Sequence, residues 1–209
     1  MEIDFALNRI EGRPGFTRSD RTRSFKASVY SIRPPCFLPP MSCLGVHFAI
    51  TPEEEAELRE LLEERMRLEH LREVIEPRYF DEHLDLMAEN GKSWDAMHRT
   101  LTDGNLFWID GDGEYPLTHV VLYGEVLYTE PDYIISYKTP QQVRDIAAAL
   151  PAITQAEFHR RFFSIKPENL GYFINEEEFE YTWDGFQGVR ALYLRAAQLG
   201  RAVIFTADQ

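Results

Sequence analysis

The stretch Ser93-Trp-Asp-Ala-Met-His-Arg-Thr-Leu-Thr-Asp-Gly104 has the spacing of one short helix. Ser93 is suited to cap the first turn, and Gly104 is suited to the left-handed conformation that often follows a helix. Between them, four large side chains recur at intervals of three and four residues and therefore share one face: Trp94, Met97, His98 and Leu101. The pattern predicts a helix that packs its apolar face against a core.

Three further segments have the composition of β-strands. Apolar, aromatic and β-branched residues dominate residues 44–50, 133–137 and 202–206, as is typical of buried strands. At Thr51-Pro52 and again at Thr139-Pro140, a capping threonine precedes a proline suited to the first helical position. We therefore expect an α+β fold, a single, mostly helical domain around a small mixed sheet.

The helices on either side of these strands can be outlined from the same patterns. Residues 52–75 have the pattern of one long helix, with Leu62 and Met66 in its buried stripe and Pro77 at its end. Residues 80–89 have the spacing of a shorter helix. The last long helix is expected from about residue 176 to residue 199, with Gly185 and Gly188 marking a kink or a restart.

The charge divides the chain into two parts. The 209 residues carry a net charge of -13, whereas residues 1–40 alone carry +3 and contain five of the twelve prolines. We expect residues 1–40 to be a disordered or loosely attached basic tail, or an extension upstream of a start at Met41, and residues 41–209 to form the domain. So acidic a domain repels phosphate backbones, which argues against nucleic acid and favours a basic protein partner.

Cysteine use and hydropathy bear on the compartment. Cys36 and Cys43 are too few for a disulfide scaffold, and the sequence contains no run of 18 apolar residues. We expect a cytoplasmic protein with no membrane partner, and the sequence leaves its oligomeric state open.

The sequence offers no clear metal or cofactor motif. The loop Asp110-Gly-Asp-Gly-Glu114 resembles the start of a calcium-binding EF-hand loop, but Tyr115 stands where glycine is needed and Val121 where a glutamate is needed. No phosphate-binding glycine loop, zinc motif or nucleophile elbow is present. We therefore expect no metal and no cofactor.

Several segments, in this order along the chain, resemble one bacterial family. They are Met41-Ser-Cys-Leu-Gly, the Trp94–Gly104 helix, Tyr-Lys-Thr-Pro-Gln-Gln-Val143, and Tyr-Leu-Arg-Ala-Ala-Gln-Leu-Gly-Arg-Ala-Val-Ile-Phe205. Together they are similar to the YfbM-like family, the domain of unknown function 1877. The resemblance implies a single α+β domain from about Met41 onwards and no established activity. The chain departs from the family at residues 107–115 and at Arg99-Thr100, so the end of that helix is expected to be partly exposed.

Two classes of function follow from these residues, and the catalytic residues, if there are any, stay unknown. The first class is a non-enzymatic acidic protein-binding module, similar to an inhibitor or an immunity protein. The second is a small hydrolase or ligand-binding domain with a cleft around Trp94 and His98, with Asp95 or Asp103 as an acid partner. The side chains expected to line its pocket are Trp94, His98, Tyr133, Tyr137 and Trp183.

Overall fold

The computed structural model of the chain describes residues 44–106, 113–166 and 174–208. The expected tail over residues 1–40 and most of the loop that begins at Asp110 lie outside these residues. The described residues form the predicted α+β architecture.

A five-stranded antiparallel sheet lies at the centre of this architecture. Its strands are β1 Gly45–Ile50, β2 Met87–Gly91, β3 Glu125–Tyr128, β4 Tyr133–Lys138 and β5 Ala202–Asp208. They lie in the order β2-β1-β5-β4-β3, so the C-terminal strand occupies the middle of the sheet. The positions of β1, β4 and β5 confirm the three predicted strands.

The prediction of a mixed sheet is wrong, because all four strand pairs are antiparallel. Only residues 129–132 join β3 to β4, a link that suits a hairpin and is too short for a parallel crossover.

Strand β2 replaces the end of the helix expected over residues 80–89. Its residues have little strand propensity, but they pair with β1, where Phe48 lies opposite Met87 and Ala88 opposite His47. Pairing with a neighbouring strand outweighs local preference here.

The described residues contain seven α-helices. They are α1 Pro52–Glu60, α2 Glu64–His70, α3 Glu76–Glu82, α4 Ser93–Leu101, α5 Pro140–Ala149, α6 Gln155–Phe162 and α7 Glu176–Leu199. Thr51 and Thr139 cap α1 and α5 as predicted, each in a reciprocal capping box with the residue three positions on, Glu54 or Gln142.

The single helix expected over residues 52–75 is instead three shorter pieces. The backbone becomes extended at Leu61 and Glu63, which separates α1 from α2. A π-helical turn, Leu71–Ile75, then leads from α2 into α3. Pro77 lies within a helical run that continues through the π-helical turn from residue 64 to residue 82, so it does not end a helix.

The helices cover both faces of the sheet. Neighbouring residues of a strand point to opposite faces, and β5 shows which helices lie on each. The Thr206 hydroxyl donates to Glu76 of α3 at 3.1 Å, whereas the adjacent ring of Phe205 lies 5.7 Å from that of Trp94 in α4. Helices α1–α3 therefore cover one face, and α4, with α5 and α7, covers the other.

Helix α4 confirms the predicted stretch, with one change at its start. Ser93 lies inside the helix, and its hydroxyl donates to the Asn90 carbonyl at 2.6 Å instead of capping the first turn. Gly104 has a φ of +88°, the left-handed conformation expected after the helix. Arg99 and Thr100 are buried, so the expectation that this end of the helix is partly exposed is wrong. Arg99 instead forms an ion pair with Asp95.

Helix α7 runs without interruption through Gly185 and Gly188, so neither glycine marks a kink or a restart. The role of Gly185 is packing against α4. A Cβ built there would lie 2.5 Å from the Ser93 hydroxyl oxygen, whereas one built at Gly188 would meet only the Ala88 Cβ at 3.9 Å.

These two glycines form a matched pair for testing how α7 packs. We expect Gly188→Ala to raise the free energy of unfolding by up to about 1 kcal/mol through helix propensity. We expect Gly185→Ala to lower it by about 1–2 kcal/mol, because displacement of Ser93 outweighs the same propensity gain. Urea unfolding of both variants measures the two changes, and equal stabilisation by both would contradict the close contact between α7 and α4.

Candidate functional site

Two of the five predicted pocket residues lie on β4, on the face that α1–α3 cover. The Tyr133 hydroxyl donates to Glu76 at 2.5 Å, and the Tyr137 hydroxyl donates to Glu55 at 2.5 Å. Burial and the neighbouring carboxylate raise the pKa of both phenols, that of Tyr137 to about 12. Both tyrosines therefore remain protonated donors that link the sheet to its covering helices.

The other three predicted residues lie on the opposite side of the sheet. Trp94 and His98 are both 1% exposed on α4. Trp183 is half-buried on α7, with its ring 5.3 Å from Phe158 and 5.5 Å from Phe186. The structure therefore does not bring the five residues together, because the sheet lies between the two tyrosines and the Trp94–His98 pair.

His98 is buried, and neither of its ring nitrogens has a hydrogen-bond partner among the described residues. Its ring meets that of Tyr123 edge to face, with 5.3 Å between the ring centres. Burial, and then the nearby charges of Lys138 and Arg99, lower the pKa of His98 to about 3. Neither acid considered as its partner is hydrogen-bonded to it. Asp95 instead binds Arg99 at 2.5 Å, and Asp103 accepts from Asn105 at 2.6 Å.

Next to His98 lies a buried segment of irregular backbone, Val120–Tyr123, which follows the 3₁₀ turn Leu117–His119. Its carbonyls accept hydrogen bonds from side chains. The His47 Nε2 lies 2.9 Å from the Val120 oxygen, and the Ser136 hydroxyl donates to the Tyr123 oxygen at 2.5 Å. The Lys138 ammonium nitrogen donates to the Val121 oxygen and, at 2.6 Å, to the Ser136 hydroxyl oxygen.

The two basic groups that bind this segment are both fully buried. Burial lowers the pKa of His47 to about 3, with a smaller contribution from Lys138. Burial also lowers the pKa of the Lys138 amine well below its ordinary value. Sequence patterns did not identify Lys138 as buried. The available signal was its place in Tyr-Ile-Ile-Ser-Tyr-Lys, where alternation puts Ser136 and Lys138 on the same face of the strand as Ile134.

A separate pocket opens between the end of α4 and the end of α6. It has a volume of about 270 Å³. We call it the arginine pocket, because its lining includes Arg99, Arg160 and Arg161, together with Thr100, Thr102, Asp103 and Ser164.

The helices on the other face of the sheet form a strongly acidic surface. Residues 52–86 contain thirteen acidic and five basic side chains, a net charge of -8. Leu62 and Met66 were expected in the buried stripe, but they are 88% and 46% exposed. The break at Leu61 changes the direction of the chain, which is why this part of the stripe does not reach the core. We call the exposed side chains of residues 53–85 the acidic surface.

Two classes of site are absent from the described residues. Residues 44–106, 113–166 and 174–208 contain no group of three or more histidine, cysteine, aspartate or glutamate side chains that could hold a metal ion. None of the helices in these ranges is long and apolar enough to cross a membrane.

The burial of His98 predicts how the protein responds to acid. The unfolded chain takes up a proton at this residue near pH 6.5, whereas the folded state does so only near pH 3. The unfolded state therefore binds more protons between these values, and stability falls as the pH falls through this window.

We expect His98→Leu to reduce the slope of the free energy of unfolding against pH by up to about 1.4 kcal/mol per pH unit. At neutral pH we expect the variant to be as stable as the wild type within about 1 kcal/mol, or more stable, because an unpaired buried polar group is removed. Urea unfolding of both proteins between about pH 6 and pH 5 measures the slopes. An unchanged slope, or destabilisation by about 3 kcal/mol, would contradict the neutral, unpaired state of His98.

Comparisons with known proteins agree on the family and the fold. The model of the domain of unknown function 1877 matches residues 41–206. The crystal structure of YfbM from Escherichia coli, a protein of unknown function, is similar to this chain with a TM-score of 0.52 and 17% identity, over 78% of this chain and 99% of YfbM. At that identity the likeness shows a shared fold alone. None of the curated proteins matches the chain. By the match over residues 41–206, the chain belongs to the family that carries the domain of unknown function 1877.

Proposed function

We propose that this protein is a non-enzymatic acidic protein-binding module, similar to an inhibitor or an immunity protein, and that its partner is a basic protein in the cytoplasm. The observation that carries the proposal is Leu62, an aliphatic side chain that is 88% exposed within the acidic surface. Exposed apolar side chains rimmed by charged residues are typical of protein interaction surfaces, and Met66, which is 46% exposed, is a second one within the acidic surface.

The backbone that presents Leu62 is held in place by one side chain. Arg67 donates to the Leu61 carbonyl at 2.8 Å, to the Leu62 carbonyl at 3.3 Å and, across the chain, to the Leu127 carbonyl at 3.4 Å. These bonds fix the corner between α1 and α2. The backbone around Leu62 therefore loses little entropy when a partner covers it, which favours tight binding.

The charge of the acidic surface supports the choice of a basic partner. Leu62 is followed directly by the exposed Glu63, and Glu57 and Glu60 are exposed on the preceding helix. Opposite charges accelerate association and disfavour acidic competitors, and their contribution weakens as the salt concentration rises. The proposed interface therefore combines an apolar centre with a salt-sensitive rim.

The second class, a small hydrolase or ligand-binding domain with a cleft around Trp94 and His98, has less support. Both side chains are 1% exposed, and His98 lies against Tyr123 with no carboxylate partner in the part of the chain that the structure describes. General acid–base catalysis needs a group within reach of the substrate, and a buried ring does not offer one.

Affinity capture with a matched pair of variants tests the proposal. The immobilised chain is exposed to lysate of its native host, as wild type, as Leu62→Asp and as Leu199→Asp. Leu199 is 51% exposed at the end of α7, so its variant makes the same chemical change outside the acidic surface.

We expect the wild type and Leu199→Asp to retain the same basic protein and to release it as the ionic strength is raised. We expect Leu62→Asp to retain at least about tenfold less, the loss typical of removing an interface centre. Equal retention by Leu62→Asp, or no basic protein retained by the wild type, would refute the proposal.

A further inference from the structure

We propose that the arginine pocket binds a small oxyanion, such as the phosphate group of a hydroxylated metabolite. The site is independent of the acidic surface, because it lies at the ends of α4 and α6 on the other side of the sheet. Its volume of about 270 Å³ suits a compact ligand better than a drug-sized one.

The first support is a cluster of guanidinium groups that share too few carboxylates. Arg160 and Arg161 both donate to one oxygen of Glu157, at 2.7 and 2.6 Å. A single carboxylate cannot neutralise two guanidinium groups, so the Arg160–Arg161 pair keeps one uncompensated positive charge. Asp95 already neutralises Arg99, and the exposed Asp103 lies in the same lining, so we place the oxyanion at the Arg160–Arg161 side of the pocket.

The second support is unused donor capacity. Among the described residues, Arg161 donates only through Nε, to Glu157, and its four terminal N–H groups bind no other described side chain. Guanidinium N–H groups in a planar fork match the oxygens of a phosphate or a carboxylate. An oxyanion in the pocket would therefore accept bonds that the described residues leave unmade.

The third support is the fixed position of Arg99, which lies on the α4 side of the pocket. The Arg99 side chain is only 8% exposed, and Asp95 at 2.5 Å fixes its guanidinium. A second bond runs from Arg99 to the Gly104 carbonyl at 3.4 Å, so the charge is held in one position. A buried, fixed cation loses little entropy when an anion binds, and it is weakly screened by salt.

The remaining polar groups of the pocket indicate what else the ligand carries. The hydroxyls of Thr102 and Ser164 donate to backbone carbonyls at 2.9 and 2.6 Å, so they offer only acceptor lone pairs to a ligand. The exposed carboxylate of Asp103 is a further acceptor. Acceptors beside an anion site suit a ligand with hydroxyl groups, such as a sugar phosphate.

Calorimetric titration at fixed ionic strength tests the proposal, with inorganic phosphate, a hexose 6-phosphate and the neutral hexose as probes. Three variants accompany the wild type. Arg161→Gln removes unused donors, Glu157→Gln removes the competing carboxylate, and Arg144→Gln removes an exposed charge from α5 outside the pocket.

We expect the wild type to bind phosphate and to bind the hexose phosphate more tightly, with no binding of the neutral hexose. We expect about tenfold weaker binding by Arg161→Gln, tighter binding by Glu157→Gln, and wild-type affinity for Arg144→Gln. If phosphate binds and the hexose adds nothing, the ligand is a free oxyanion and the pocket is still an anion site.

The gain expected from Glu157→Gln keeps the test decisive even if another variant folds poorly. The proposal would be overturned if the wild type gives no heat of phosphate binding. It would also be overturned if Arg161→Gln and Glu157→Gln bind phosphate with the same affinity.

Discussion

The carbonyl groups of the buried segment Val120–Tyr123 must be hydrogen-bonded inside the protein, and this need explains much of the interior. The segment is neither helix nor strand, so the backbone of a regular element does not supply the donors. Side chains supply them from three elements: His47 of β1, Ser136 and Lys138 of β4, and Tyr193 of α7, whose hydroxyl lies 2.8 Å from the Val120 oxygen. Without these donors, each unpaired carbonyl would cost about 1–3 kcal/mol.

This constraint changes the interpretation of the buried basic groups. Histidines and a lysine with strongly lowered pKa values are common in active sites, but structural networks produce the same shifts. His47 and Lys138 each have a carbonyl to bind, and His98 packs against the Tyr123 ring of the same segment. The features that we propose for binding other molecules lie elsewhere, at Leu62 on the acidic surface and at Arg161 in the arginine pocket.

The sequence predicted those parts of the fold that depend on local chemistry. Thr51 and Thr139 cap their helices through residues three positions away, and the strand over residues 202–206 carries its own apolar signal. Features that depend on distant contacts were missed. Strand β2 forms because β1 pairs with it, and Leu62 is exposed because Arg67 binds the carbonyls at the break in the helix. For the candidate site, helical spacing was enough to predict that Trp94 and His98 are buried. The role of Lys138 as a donor could not be predicted, because it depends on where the fold places the Val121 carbonyl.

The interior holds its two fully buried histidines uncharged, His47 as a hydrogen-bond donor to the Val120 carbonyl and His98 as a packing group. The most direct test is an NMR titration of the imidazole nitrogens of the folded protein from about pH 8 to about pH 4. We predict that His47 and His98 keep the shifts of neutral rings across this range, since burial lowers both pKa values to about 3. Protonation of either ring near pH 6.5 in the folded protein would contradict this account.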